Sequence, residues 1–320
     1  LPADDVVVAG LICVDLRPQF NAAPRITPGA LQAVGPLDVS VGGCVGNTGL
    51  ALAALGTKVR LAGSVGDDSL GRLVAEALVA ARRVDTAAVH AVEGAATSYT
   101  VVVDPPSSDR SFWHCTGAND LFDPTQVDLT SARLFHLGYP SLLARVVADE
   151  AAGLVTYLAE ARAAGVMTSL DIAMHDAASP AANLDWATIL ARLLREVDVF
   201  SPSVDELRRV VPSLTTAEDA ARWVREQGCS VVMVTDGPRG SYTLSDDSEG
   251  WTPAFAVEVA TTTGAGDAAT AGLLHGLVSG FSVSEAVVAA AATAAARVEG
   301  TPIPDWSVLA NRVARGWPTR

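Results

Sequence analysis

The stretch TTTGAGDAAT, residues 261–270, sets Gly264, Gly266 and Asp267 between a β-branched run and a long alanine-rich segment. Glycines at 264 and 266 let the backbone approach a ligand closely and adopt positive φ. A helix starting there offers unpaired N–H groups and the positive end of its dipole, which together attract an anion. Three uses suit these residues. Asp267 can act as a first-turn carboxylate that favours the helix by itself. Gly264-x-Gly266-x-x-Ala269 nominally fits a dinucleotide turn, but that fingerprint normally opens the first βαβ unit, and an aspartate repels a pyrophosphate. The third use exploits the charge. The helix start holds a transferring phosphoryl group while Asp267, with a reference pKa of about 3.9, takes the proton of an attacking hydroxyl.

The rest of the chain narrows these choices. Lys58 is the only lysine and lies in GTKVR, so a Walker-A loop is excluded and phosphate must be met by backbone N–H groups, arginine and metal. A formal net charge of −14 argues against nucleic-acid binding, which needs a basic stripe, yet leaves a metal-bound nucleotide admissible. Four cysteines lie far apart with no CxxC pair, and His114–Cys115 has no second ligand cluster, so reduced thiols in a cytoplasmic protein are expected. No run has the length of a membrane span, and the opening LPADDVVVAG lacks the basic region of a signal peptide.

Stepping outward from 261–270, the elements that must position it alternate strand and helix. VVVAGLICVDL (6–16) reads as one buried strand ending near Asp15. GGCVGNTGLALAALG (42–56) reads as a glycine turn and a helix, with Asn47 either a polar ligand group or a helix cap. VRLAGSVG (59–66) is a strand and 69–84 a helix. Strand–helix pairs follow: ARLFHLGYP with helix 145–164, VMTSLDI with 183–195, and VDVFSPS with 204–210. SVVMVTDG leads into a β-rich patch at 240–259, and helices at about 267–279 and 284–297 follow TTTGAGD. This rhythm predicts an α/β fold with a mostly parallel sheet covered on both faces. Two segments break it. Residues 17–40 are Pro-punctuated, and 96–116 alternates about a Pro-Pro-Ser-Ser turn like an exposed hairpin. They are assigned to a small β lid, leaving 1–16, 41–95 and 117–320 as the α/β domain.

GGCVGNTGLALAALG, GSVGDDSLG, VTDGPRG and TTTGAGD occur in an order and spacing that resemble the ribokinase-like (PfkB) carbohydrate kinase family, over about residues 6–300. The resemblance implies a three-layer, Rossmann-like mostly parallel sheet with a β lid. It also implies transfer of the γ-phosphate of ATP, with Mg²⁺, to a hydroxymethyl group of a sugar or nucleoside. By position it makes Asp267 the base and the backbone of Gly264, Ala265 and Gly266 the anion hole. Asp15, Gly42, Gly43 and Asn47 would hold sugar hydroxyls, with Arg110 of the hairpin either a solvated charge or a contact for an acidic sugar or a phosphate. Thr235, Gly237 and Gly240 would lie along the nucleotide with Ser203, and Glu206 would reach Mg²⁺ through water. A homodimer through the lid is expected.

Departures from the family pattern bear on substrate and ions. Thr261 stands where an acid usually helps to bind a monovalent cation, leaving potassium activation open. SPSVDE replaces KPNxxE, keeping Glu206 but putting Ser203 for Asn, and SLDIAM keeps Asp171 without the usual Asn. At the end of LFHLG, where ribokinases often carry an acid, stands Gly138 followed by Tyr139, which disfavours ribose. A nucleoside kinase of the same fold and a sugar- and nucleotide-binding protein with weakened turnover are the alternatives.

Overall fold

The structure, a computed structural model, describes residues 6–105 and 110–320. Strand β1 (Val6–Gly10) is buried throughout and pairs in parallel with β4 (Val59–Gly66) on one side and β8 (Leu134–Gly138) on the other. A strand buried on both faces has no alternation to show, which is why VVVAG reads as a continuous apolar run. Beyond β4 lies β5 (Val84–Val92); beyond β8 come β9 (Met167–Asp171), β10 (Val199–Phe200) and β11 (Val231–Thr235). All these pairings are parallel, and the antiparallel β12 (Ser241–Leu244) and β13 (Glu249–Thr252) complete a nine-stranded sheet. From β1 the chain adds β4 and β5 in one direction and β8 to β11 in the other. A crevice therefore opens at the carboxyl ends of β1 and β8, the usual place for a ligand in an open α/β sheet.

Two helical layers cover this sheet. Val7 and Ala9 of β1 face a core containing Phe135, Leu154, Leu158, Leu190, Leu193 and Val224. These come from β8 and helices α4 (Ala152–Ala163), α5 (Trp186–Leu194) and α7 (Ala217–Glu226), with the short α3 (Ala144–Ala148) and α6 (Val204–Val210) alongside. Val6 and Val8 face the other core, with Leu52, Leu61, Leu273, Leu274 and Val287. There α1 (Leu50–Leu55) and α2 (Ser69–Ala80) sit with α8 (Ala265–Val278) and α9 (Val283–Val298), and α10 (Trp306–Ala314) packs behind α9. The alanines of α9 serve close approach. A Cβ on Gly272 would lie 2.5 Å from the Ala289 carbonyl oxygen, and one on Gly276 would lie 2.8 Å from the Ala286 Cα.

A second, four-stranded sheet has the order β3 (Leu37–Gly42), β2 (Cys13–Pro18), β6 (Tyr99–Val103), β7 (Ser111–Cys115). The single strand expected over 6–16 is corrected here. At Gly10, with φ +127°, the chain leaves the large sheet; an added Cβ would lie 2.4 Å from the Gly138 carbonyl oxygen. The Ile12 amide then donates to Asn119 Oδ1 at 3.1 Å, and Cys13 begins β2 in the small sheet. Cys13 and Val14 stay buried after the crossover, so hydrophobicity alone gives no sign of it. The hairpin expected in 96–116 is present as β6 paired antiparallel with β7, although Pro106, Ser107 and Ser108 of its expected turn lie outside the described residues.

Three helix expectations also change. The helix placed at 145–164 is two, split where Glu150 and Ala151 have φ of 52° and 63° and Asp149 Oδ2 accepts the Gly153 amide at 2.8 Å. The helix placed at 69–84 stops at Ala80, and Val84 begins the half-exposed edge strand β5. The glycine turn and helix expected over 42–56 are a π-turn, Val45–Gly49, running into α1, which Gly56 ends as expected.

Candidate active site

Helix α8 starts at Ala265 behind Gly264, whose φ of 76° is left-handed. Ala265 donates to the Thr262 carbonyl, whereas the amides of Gly266 and Asp267 sit in the first turn, where no helical carbonyl precedes them. A Cβ on Gly266 would meet nothing within 4 Å, so this turn presents bare backbone to open space. Asp267 is the acidic residue of that turn and is buried.

Three donors converge on its carboxylate. Asn47 Nδ2 donates to Oδ2 at 3.0 Å, Thr48 Oγ1 to Oδ1 at 3.2 Å, and the Tyr139 hydroxyl to Oδ1 at 2.6 Å. The cap role left open for Asn47 is overturned. No side chain caps that helical segment, and the π-turn points Asn47 and Thr48 together at Asp267. Burial raises the Asp267 pKa, and the bonds from Tyr139, Asn47 and Thr48 pull against that shift by favouring the ionised form.

Asp15 lies within β2, not at the end of the first strand, because β2 belongs to the small sheet. It stands in a cross-strand row with Ser40, Thr100 and His114, the polar face of that sheet. Its Oδ2 accepts from Arg17 at 3.0 Å. A Cβ on Gly42 would sit 2.5 Å from the Asp15 carboxyl, so only glycine leaves that carboxylate room. Gly43, at φ +75°, would bring a Cβ within 2.4 Å of the Leu11 carbonyl oxygen. Burial lowers the His114 pKa, which keeps this row's imidazole neutral near pH 7.

Arg110, half-buried, leans on the loop before α8. From the hairpin of β6 and β7 it donates to the hydroxyls of Thr262 and Thr263, the residues that lead into Gly264. Arg297 of α9 braces the same loop from behind. Its Nε donates to the Thr263 carbonyl at 2.9 Å, while the Ala260 and Thr261 amides donate to the Val298 carbonyl.

The remaining predicted residues line the carboxyl ends of β10 and β11. Ser203 forms a parallel bridge with Thr235, whose amide donates to the Pro202 carbonyl at 2.9 Å. The Ser203 side chain is already committed: it accepts from the Glu206 amide and donates to Glu206 Oε2 at 2.7 Å, a capping box on α6. Gly237 and Gly240 flank a single tight turn with φ of 50° and 100°. A Cβ on Gly240 would lie 2.0 Å from the Thr252 carbonyl oxygen. Burial raises the pKa of both Asp171 and Glu206; Glu206 further raises that of Asp171. Among the described residues no group of three His, Cys, Asp or Glu side chains could hold a metal. As hard oxygen donors, Asp171 and Glu206 are of the kind that a hydrated Mg²⁺ would take one or two of.

Tyr139, Thr48 and Arg297 were not among the expected site residues. In the sequence Tyr139 stands out only as a departure from the acid-bearing pattern. Its signal was its place at a strand's carboxyl end, before a proline. The acid itself has no room at Gly138, where a Cβ would lie 2.1 Å from the Cys44 Cβ.

Comparison with known proteins bears on the family and the fold. Residues 3–301 match the model of the pfkB family of carbohydrate kinases. Fructokinase-1 of Zea mays is 28% identical over 242 residues, covering 74% of this chain and 73% of that protein. A PfkB protein from Polaromonas sp. JS666 superposes with a TM-score of 0.78 at 26% identity, covering 96% of this chain and 99% of its own. The Arabidopsis thaliana ribokinase complexed with ribose and ATP superposes with a TM-score of 0.77 at 24% identity, covering 97% and 98%. Among the described residues no helix is long and apolar enough to cross a membrane.

Proposed function

Since the chain belongs to the pfkB family of carbohydrate kinases, phosphotransferases with an alcohol acceptor, we propose that it moves the γ-phosphate of ATP to a hydroxymethyl group of a sugar, with Asp267 as general base. The observation that carries this reading is the buried Asp267 carboxylate at the exposed first turn of α8, held by three donors where the two sheets meet. The acceptor oxygen attacks Pγ as the bond from Pγ to the bridging oxygen breaks. The leaving ADP keeps that electron pair, and the hydroxyl proton passes to Asp267. The backbone of Gly264, Ala265 and Gly266, with the Asp267 amide, receives the equatorial oxygens, as a helix start with open backbone can. Glu206 would hold a phosphate-bound Mg²⁺ through water, and the ion would supply charge neutralisation there.

The polar row of the small sheet faces the acceptor: Asp15 binds hydroxyls, with Gly42, Gly43 and Asn47 on the adjoining turn. Arg110 closes the hairpin over the Thr262–Thr263 loop, so the small sheet acts as a lid that excludes water as a competing acceptor. Thr235, Gly237, Gly240 and Ser203 border the nucleotide.

The test is ADP release over a panel of sugars headed by fructose, with ribose, 2-keto-3-deoxygluconate and nucleosides as further arms. ADP release on a sugar is expected; binding of ATP and sugar without ADP release overturns the reading, and release on nucleosides alone reassigns the acceptor. The same assay in sodium and in potassium salts should give rates within about twofold. Thr261 brings no charge to the loop, and Arg297 already places a cation on the Thr263 carbonyl. Activation of tenfold or more by potassium would contradict this.

The lid also pairs two chains in this reading. Its outer face carries the row Val39, Leu16, Val101 and Trp113, beside Leu37 and Tyr99. Leu37 and Trp113 are more than half exposed, an apolar patch that a second copy would cover. Introducing Leu37→Glu with Trp113→Glu should halve the mass seen by sedimentation. A wild-type chain that already sediments as a monomer at micromolar concentration rules the pairing out.

A further inference from the structure

We infer that Tyr139 is a positioning residue for the reaction: its hydroxyl fixes Oδ1 of Asp267 and leaves Oδ2 to take the acceptor's proton. This rests on reading Asp267 as the base. The Tyr139 bond, at 2.6 Å, is the shortest of the three on that carboxylate. An ionised carboxylate has about four lone-pair sites. Thr48 and Tyr139 fill those on Oδ1 and Asn47 takes one on Oδ2, so the fourth, on Oδ2, is left for the acceptor hydroxyl.

The backbone at this residue is held in a costly form. Tyr139 has φ 63° and ψ 50°, the left-handed region that an aromatic residue before a proline rarely adopts. Such conformations persist only where the surroundings over-determine them. Here the Tyr139 amide donates to the Asp171 carbonyl at 3.1 Å, and its own carbonyl accepts from Leu142 at 2.9 Å. Cys44 fills the space beside Gly138, so Tyr139 is the first residue past β8 whose side chain reaches the crevice.

The phenol remains a donor across the working pH range, because burial, then Asp267 and Asp171, push its pKa up. Around Asp267, Asp15 from β2, Asp171 at the end of β9 and Glu206 of α6 oppose its ionisation, and Arg297 of α9 favours it. The thiol of Cys44, its own pKa raised by burial, stays neutral beside them. Removing the Tyr139 hydroxyl takes away a bond made to the ionised form, so the carboxyl must become harder to ionise.

The test is Tyr139→Phe, which keeps the ring. The acid limb of kcat should move up by about one pH unit, so that kcat measured below that limb falls by about tenfold. KM for ATP and for the acceptor should stay within about twofold. The Asp267 carboxyl, followed by ¹³C NMR and assigned with Asp267→Asn, should show the same upward shift without any turnover. An unchanged NMR midpoint overturns the inference, as does a loss confined to the acceptor KM, which would make Tyr139 a substrate contact. If the wild-type protein releases no ADP with any acceptor, the kinase reading fails, while the NMR midpoint still decides whether Tyr139 tunes Asp267.

Discussion

Asp267→Asn lowers kcat by about 10² to 10⁴ while binding of ATP and acceptor stays near wild type, the loss expected when a general base is removed. The amide matches the carboxylate in size, and its oxygen can still accept from Thr48 and Tyr139, so the local packing survives. What disappears is the group that takes the hydroxyl proton. Calorimetric titration with ATP and with sugar, beside steady-state rates, separates the two effects. A variant within threefold of wild-type kcat removes Asp267 from the mechanism. Tyr139 acts through Asp267, so Tyr139→Phe should cost little further rate in the Asp267→Asn background, a coupling that independent sites do not show.

Gly272→Val, remote from the crevice, destabilises the protein by about 3 kcal/mol or more, because small-to-large changes in a closed interface force backbone apart. A Cβ at 272 meets the Ala289 carbonyl oxygen, the Ala290 Cα and the Thr293 Oγ1, all within 2.7 Å. Gly272→Ala gives the sharper sign test. In an open helix interior alanine gains roughly 0.8–1 kcal/mol over glycine, whereas here it should destabilise. Denaturant midpoints for the two variants measure both. Unchanged or raised midpoints would mean that α8 and α9 can separate at no cost.

The chemistry of TTTGAGD could be read from sequence because glycines, acid and helix start are local. Asn47 was legible for the same reason, as part of a glycine-bracketed turn. Thr48, beside it in the same turn, lacks the amide that marks Asn47, and Tyr139 stands 128 residues from Asp267 with no motif around it, so only the fold shows that they reach the carboxylate. The strand boundary at Gly10 was hidden by burial on both sides of the crossover, and β5 by its mixed exposure at a sheet edge. The alanine-rich stretch within the helix expected at about 284–297 lies in α9. The glycines that receive it lie on the preceding helix, where nothing in their immediate neighbours announces a partner.

The contact between Cys44 and Gly138 limits which neighbouring sequences the chain can reach by single steps. An acid at 138 finds its Cβ position 2.1 Å from the Cys44 Cβ and 2.4 Å from its sulfur, inside a core where both residues are buried. A glutamate introduced there alone is disabling, whatever it offers to a sugar. It becomes tolerable only after residue 44 has been reduced to glycine and the strand ends have eased apart. The two positions are therefore epistatic, with a required order of change. A change at Tyr139 alters the bond to Asp267 in a single mutation, whereas an acid-bearing position 138 must pass through position 44 first.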